Sequence, residues 1–318
     1  MSAGPDGAEP VRRIGERRRV GVALGSGSAR GLAHIGVMRA LVEAGVAVEV
    51  VAGTSMGAFV GAIFAAGKLD RLEADFRDFD WGSIAALLDP VFPRSGLIDG
   101  RRIGDFMRSQ VAVERVEDLP IPFRAIATDI GSGEAVVIDR GDLIAAVRAS
   151  IAVPGIFTPV RSDGRILVDG GLVEPVPVSA ARALGADLVI AVDLNHDIVP
   201  ERSARVAQES APGALTQAVT QVLETFDSPQ GGALAQFREW LEREPLPGIF
   251  EVLLASIYIM QARITQATLE RDRPEILIQP ALGAVRFMAF DRAEEIVDAG
   301  YRATKQALQD AAALLWPT

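Results

Sequence analysis

Gly53-Thr54-Ser55-Met56-Gly57 sets a serine between two glycines where an apolar run gives way to a helical one. That spacing suits nucleophilic acyl chemistry. A sharp strand-to-helix turn pushes the hydroxyl clear of its neighbours, and only residues lacking a side chain allow the close approach two positions to either side. The hydroxyl then stands at a helix N-terminus, where developing negative charge is favoured. The competing reading is a plain β-to-α turn capped by Ser55. In a chain with 31 glycines the pattern alone can also arise by chance. The strand and helix that flank it weigh towards function.

A second glycine-rich stretch, Gly25-Ser26-Gly27-Ser28-Ala29-Arg30-Gly31, follows the first apolar run and opens the first helix. Small residues let successive backbone N–H groups face one concavity, a nest for an oxyanion or a phosphate. A dinucleotide fingerprint would need glycine where Arg30 stands, and an acid closing the second strand where Gly53-Thr54-Ser55 stands. No Gly-Lys-Ser/Thr occurs, which excludes a phosphate-binding P-loop. The loop reads best as an oxyanion hole serving Ser55 from an adjacent strand end. Arg30 either secures the loop through a salt bridge or contacts a lipid phosphate.

A serine nucleophile needs a proton acceptor. The chain has two histidines. His34 falls inside the first helix and reads as a packed residue. His196 follows Asp193-Leu194-Asn195 and could complete a Ser55, Asp169, His196 order. Asp169 ends the apolar run Ile166-Leu167-Val168 and precedes Gly170-Gly171, which leave room for another segment. In a dry site such a carboxylate gains basicity. The residues alone leave Asp169 evenly balanced between base and turn aspartate. Asp129, just before Gly131, reads as a hairpin-turn residue.

These groups need a scaffold. Val20–Leu24 and Val48–Ala52 read as strands, and Gly31–Ala44 and Met56–Ala66 as helices, a βαβ unit that implies a parallel sheet. Further along, Lys68–Gln110 reads as mostly helical, broken around Pro90–Gly96. Phe123–Ile130 and Ala135–Ile138 form a hairpin. Asp142–Ala149 is a helix, Arg165–Val168 a strand, Pro177–Leu184 a helix and Leu188–Val192 a buried strand. Ile276–Ile278 returns to strand and Arg292–Leu315 is a closing helix. The expected organisation is a basic, unstructured extension over 1–19, a core over 20–200, a helical insertion over 201–273, and a strand and helix over 274–318 that complete the core.

Composition bounds the function. The 318 residues are 49% hydrophobic and only 6% aromatic, a diet suited to close helix-on-sheet packing. No cysteine is present, which excludes thiolate nucleophiles and cysteine-held metals, and fits a cytoplasmic setting. A net charge of −10 speaks against nucleic acid as a partner. The local cluster Arg12, Arg13, Arg17, Arg18 and Arg19 reads as a solvated leader or as an arm for anionic lipid. The apolar stretch from Ile249 to Met260 is 12 residues long, too short to span a bilayer. It reads as a core helix, a lid or acyl-chain wall beside Ser55, or a dimer face.

The glycine loop, the Gly-x-Ser-x-Gly elbow and the Asp-Gly-Gly, in this order, resemble the patatin-like phospholipases. Arg30-Gly31-Leu32-Ala33-His34-Ile35-Gly36-Val37, Ala127-Thr128-Asp129 and Arg148-Ala149-Ser150-Ile151-Ala152-Val153-Pro154-Gly155 are similar to the bacterial branch. The resemblance runs from Val20 to Asp193, and more weakly over Ile276–Pro280. It implies a three-layer α/β/α fold with a mostly parallel sheet. It implies a lipid or acyl-ester substrate, Ser55 as nucleophile, Asp169 as base and the Gly25–Gly31 loop as oxyanion hole. It implies neither metal nor organic cofactor, and a cytoplasmic protein in peripheral contact with the inner membrane face. Ser26 and Ser28 stand where the family often has glycine, and Glu174 where it often has asparagine. A non-enzymatic scaffold on the same fold and an acyltransferase using the same pair are the alternatives.

Overall fold

The computed structural model describes residues 18–77, 81–91, 96–198 and 249–316. Residues 1–17 of the expected extension, 199–200 at the end of the expected core and 201–248 of the expected insertion lie outside them. Eight strands form one sheet: β1 (Val20–Leu24), β2 (Val48–Thr54), β3 (Phe123–Asp129), β4 (Ala135–Ile138), β5 (Val160–Ser162), β6 (Arg165–Asp169), β7 (Leu188–Val192) and β8 (Ile276–Ile278). The described α-helices are α1 (Ala33–Glu43), α2 (Met56–Ala65), α3 (Leu69–Arg77), α4 (Trp81–Leu87), α5 (Arg101–Gln110), α6 (Leu143–Ser150), α7 (Val178–Ala183), α8 (Ile249–Asp272), α9 (Ala293–Asp310) and α10 (Ala312–Leu315).

Traced through hydrogen-bonded neighbours the strands run β5-β6-β3-β2-β1-β7-β8, with β4 also on β3. The centre is parallel: β1 pairs with β2 and β7, β2 with β3, and β7 with β8. The flank built from β3, β4, β5 and β6 is antiparallel. Central parallel strands are covered on both faces, and β1 and β7 are accordingly apolar throughout. Every residue of β7 is buried, as are Gly21 to Leu24 of β1.

Alternation along the strands divides the core in two. Val22, Leu24, Val51, Ile190 and Val192 pack with Ile35, Met38, Ile63 and Ile296, which come from α1, α2 and α9. Ala23, Val50, Ala52, Val189 and Ala191 face the other way and meet Val178 and Ala181 of α7. The result is a three-layer α/β/α arrangement around a mostly parallel sheet, as the sequence led one to expect.

Some local expectations change. β5 was not anticipated. It pairs with β6 through the turn Asp163-Gly164, whose φ values of 48° and 77° are the positive pair that a two-residue hairpin turn requires. Arg19, placed in the extension by sequence, is fixed to the core: its N–H donates to Asp187 Oδ2 at 3.1 Å and its carbonyl accepts from Asp187 and Leu188. The first helix begins as a 3-10 turn over Ser28–Leu32, and the closing helix is interrupted at Ala311. The apolar run from Ile249 to Met260 is half of a helix that continues to Asp272.

One topological detail positions the site. β3 takes β4 along one edge, through Ala125 to Thr128. Ile126 also pairs with Thr54, and Ala127 with Asp169. A strand residue has one neighbour on each edge, so β2 and β6 share the edge opposite β4. They point at each other and end head to head.

Candidate active site

Ser55 leaves β2 with φ 56° and ψ −124°, a conformation costly for any residue with a side chain, and caps α2. A methyl group on Gly53 would overlap the backbone of Gly57, and one on Gly57 would overlap the carbonyl of Leu24. The two glycines are therefore required by close backbone approach. The strained turn is pinned from outside. Ser55 N–H donates to Ser150 Oγ at 2.9 Å, and Ser150 Oγ donates to the carbonyl of Ile126 at 2.6 Å. Ser150 is fully buried at the end of α6.

Asp169 ends β6 and is itself held on three sides. Its N–H donates to Ala152 O at 2.9 Å, and its carbonyl accepts from Thr128 Oγ1 at 2.8 Å. Its Oδ1 accepts from Gly171 N–H at 2.7 Å. Oδ2 is buried without an aligned hydrogen-bond partner. Burial pushes the Asp169 carboxyl up to about 6, against the opposing pull of the nearby Ser55 hydroxyl and of Gly171 N–H.

Ser55 and Asp169 line one cavity of about 20 Å³, room for a single water. Ser26, Gly27 and Ser28 line it from the glycine loop, and Val153 and Phe287 from the side. Leu254, Ile257, Tyr258 and Gln261 of α8 form its cover. These four positions recur at helical spacing on the buried face of α8, while Val252, Ile259 and Met260 are exposed on the opposite face.

The glycine loop divides into used and unused donors. Gly25 N–H donates to Val192 O, Ser26 N–H to Pro175 O, Ala29 N–H to Phe287 O and Arg30 N–H to Gly27 O. Among the described residues the N–H groups of Gly27 and Ser28 donate to no protein acceptor. Ser28 adopts φ 49° in the left-handed region, and its hydroxyl donates to Phe287 O at 2.7 Å, which holds it there. Gly31 packs its Cα directly on Met56. Arg30 is buried, donates to Val285 O at 3.1 Å and lies 4.4 Å from the centre of the Tyr258 ring. Its side chain thus braces the loop against α8.

The remaining candidates lie elsewhere. His34 is fully buried, and its Nε2–H donates to Gly25 O at 2.7 Å. Desolvation lowers its pKa to about 4, so it is neutral. His196 is exposed on the turn after β7, with Nδ1 3.9 Å from Asp197, and is not part of the cavity wall. Asp129 accepts from Gly131 N–H at 3.0 Å and Ser132 Oγ at 3.2 Å, a turn role as read from sequence. Glu174 turns its carboxylate to Ser179 Oγ at 2.5 Å, while its carbonyl accepts from Thr54 Oγ1 at 2.8 Å. It is therefore a strut beneath the elbow, and burial raises its pKa.

Three residues escaped the sequence reading. Ser150 lies within a quoted stretch but has no signal that tells it apart from any buried helical serine. Asn195 and Gln261 form a buried polar group with Ser26: Ser26 Oγ donates to Gln261 Oε1 at 3.1 Å, and Asn195 Nδ2 donates to the same oxygen at 3.2 Å. A lone glutamine following an apolar helical run is a weak clue.

The model of the family described as Patatin-like phospholipase matches residues 22–182. An uncharacterized NTE family protein of Mycobacterium tuberculosis is 35% identical over 92% of this chain and 91% of its own length. The human patatin-like phospholipase domain-containing protein 6 is 29% identical over 92% of this chain, which spans 20% of that protein. Among solved structures, VipD from Legionella pneumophila superposes with a TM-score of 0.53 at 15% identity, covering 93% of this chain and 67% of that one, a likeness of fold. Glycine loop, elbow and Asp-Gly-Gly all fall inside the matched region, and the chain belongs to the patatin-like phospholipase family.

Proposed function

We propose that this protein hydrolyses acyl esters of lipids, with Ser55 as nucleophile and Asp169 as its base. One observation carries the reading. The Ser55 hydroxyl and the otherwise unengaged Oδ2 of a buried carboxyl with a pKa near 6 share one small cavity. Family membership supports lipid hydrolase activity. No helix among the described residues is long and apolar enough to cross a membrane.

In this reading Asp169 Oδ2 accepts the Ser55 proton as Oγ attacks the ester carbonyl carbon. The N–H groups of Gly27 and Ser28 hold the oxyanion, being the loop donors with no other acceptor among the described residues. The intermediate collapses, the carbon–oxygen bond to the alcohol breaks, and Asp169 returns the proton to that alcohol. Water then attacks the acyl-serine, gives its proton to Asp169, and releases the fatty acid. A cavity of about 20 Å³ does not admit an acyl chain. Leu254, Ile257, Tyr258 and Phe287 must turn aside first, and their apolar surfaces then line the chain's path.

Ser55→Ala should abolish hydrolysis of p-nitrophenyl acyl esters and covalent labelling by a fluorophosphonate, with the fold retained. Full activity in that variant would end the proposal. Absence of any label on the wild-type protein would instead favour a non-enzymatic scaffold, and ester exchange onto added glycerol in preference to water would favour an acyltransferase.

A further inference from the structure

The cavity wall contributed by α8 pairs the apolar Leu254 and Ile257 with two residues that carry polar atoms, Tyr258 and Gln261. Gln261 is buried there, one turn beyond Tyr258, and its amide has a fixed orientation. Asn195 Nδ2 donates to the backbone carbonyl of Ser26 at 3.3 Å, so that nitrogen is assigned without ambiguity. The same nitrogen meets the Gln261 amide at 3.2 Å, and the atom it meets must be an acceptor, Oε1. Ser26 Oγ donates to the same oxygen at 3.1 Å. Nε2 is left facing the Asp169 side of the cavity. A methyl group built on Gly171 would overlap Gln261 Nε2 and stand 2.9 Å from Asp169 Oδ1. No protein acceptor engages Nε2 among the described residues.

We infer that Gln261 is a positioning residue that holds the water which releases the acyl group, its Nε2–H donating to the water oxygen beside Asp169. The inference rests on the hydrolase reading given above. In the acyl-enzyme the Gly27 and Ser28 N–H groups are occupied by the acyl carbonyl, and the Ser55 oxygen is esterified. Asp169 Oδ2, an acceptor, and Gln261 Nε2, a donor, then remain in the wall for a water, in a lining that also carries the hydroxyls of Ser26 and Tyr258. A water that accepts from Gln261 directs a hydrogen to Oδ2 and a lone pair towards the acyl carbon. Its oxygen bonds to that carbon and its proton passes to Asp169. The bond from the carbon to Ser55 Oγ then breaks, and Asp169 returns the proton to Oγ. Before acylation the cavity has room for one water. Anchoring by Ser26 and Asn195 keeps the amide in place while the apolar turns before it make way for the chain.

The test separates the two half-reactions. Gln261→Met removes the donor at similar length, and Gln261→Glu removes it while keeping an oxygen for Ser26 and Asn195. Both are compared with the wild type on a short-chain p-nitrophenyl ester by stopped flow, with intact-mass measurement of acyl-Ser55 after acid quench. Fluorophosphonate labelling, which reports nucleophile activation alone, should stay within about threefold of wild type. Steady-state turnover should fall about 10- to 100-fold, a burst of p-nitrophenol should precede it, and the fraction of acylated Ser55 should rise. Equal losses in labelling and turnover would mean that Gln261 only supports the fold, and overturn the inference. So would wild-type deacylation in either folded variant. Failure of the wild-type protein to acylate at Ser55 would refute the hydrolase reading itself, which these variants cannot do.

Discussion

Thr54 and Asp169 sit opposite consecutive residues of the same strand edge, Thr54 against Ile126 and Asp169 against Ala127. Because β2 and β6 approach from opposite directions, the residue after Thr54 and the side chain of Asp169 converge on one point. Ladder geometry spaces adjacent residues by about 3.3 Å along a strand. The juxtaposition of Ser55 with Asp169 is thus set by sheet register rather than by flexible loops.

Register alone does not fix the elbow, and Ser150 supplies the rest. Ser150→Ala would leave the buried Ser55 N–H without an acceptor and Ile126 O without that donor. The expected cost is about 1–3 kcal/mol of stability, read by urea unfolding. Turnover on acyl esters should fall further than Ser150→Thr, which keeps a hydroxyl.

Ser55 holds a positive φ at the expense of stability. Ser55→Gly should abolish activity yet unfold at no lower a temperature than Ser55→Ala, with a difference of about 1 kcal/mol in favour of glycine. Differential scanning calorimetry of the two inactive variants checks this. A less stable glycine variant would mean that the turn is not strained.

The Asp169 carboxyl, raised to about 6, sets an acid limb. The base must be ionised, so kcat/KM should fall about tenfold per pH unit below pH 6 and level off above it. Stability has the opposite sign. The folded state binds the proton more tightly than the unfolded chain, so ionising Asp169 costs stability as pH rises from about 4 through 6. Asp169→Asn should therefore be inactive and gain up to about 3 kcal/mol over the wild type at pH 7.5, with no gain at pH 3.5.

His34 works the other way. Its folded pKa of about 4 lies below the ordinary value, so the folded state resists protonation. Stability is lost as pH falls from 6.5 to 4, by up to about 3 kcal/mol. A His34→Gln variant, which can still donate to Gly25 O, should lose less stability over that interval. Thermal melts at pH 7 and pH 4.5 on both proteins decide it.

The elements nearest the site were the most legible, because their signals are local. Five-residue apolar runs marked β1 and β7, and the glycine spacing of Gly53 and Gly57 about Ser55 marked the elbow, although the contact that requires Gly57 is with Leu24 of β1. β5 was missed although Asp163-Gly164 is a hairpin signal, since its three residues carry no clear alternation. Within the glycine loop, sequence could name seven residues as donors. Which N–H groups remain unengaged depended on Val192, Pro175 and Phe287, all distant in the chain.

By itself the sequence determined the kinds of group available: a serine in a turn that only glycine neighbours permit, a loop rich in backbone donors, a carboxylate at a strand end, and no cysteine. It set Asp169 ahead of His196 as the proton acceptor, but left Asp169 evenly balanced between base and turn aspartate. Tertiary structure decided their placement, with β6 head to head with β2 on β3, Asp169 in the same cavity wall as Ser55, and His196 exposed beside Asp197. It also brought Gln261 and Asn195 to Ser26 from more than 60 residues apart in sequence and closed the cavity with α8. The physical reason is that pairing register and buried polar contacts join residues without any sequence periodicity, whereas glycine turns and apolar runs act on their immediate neighbours.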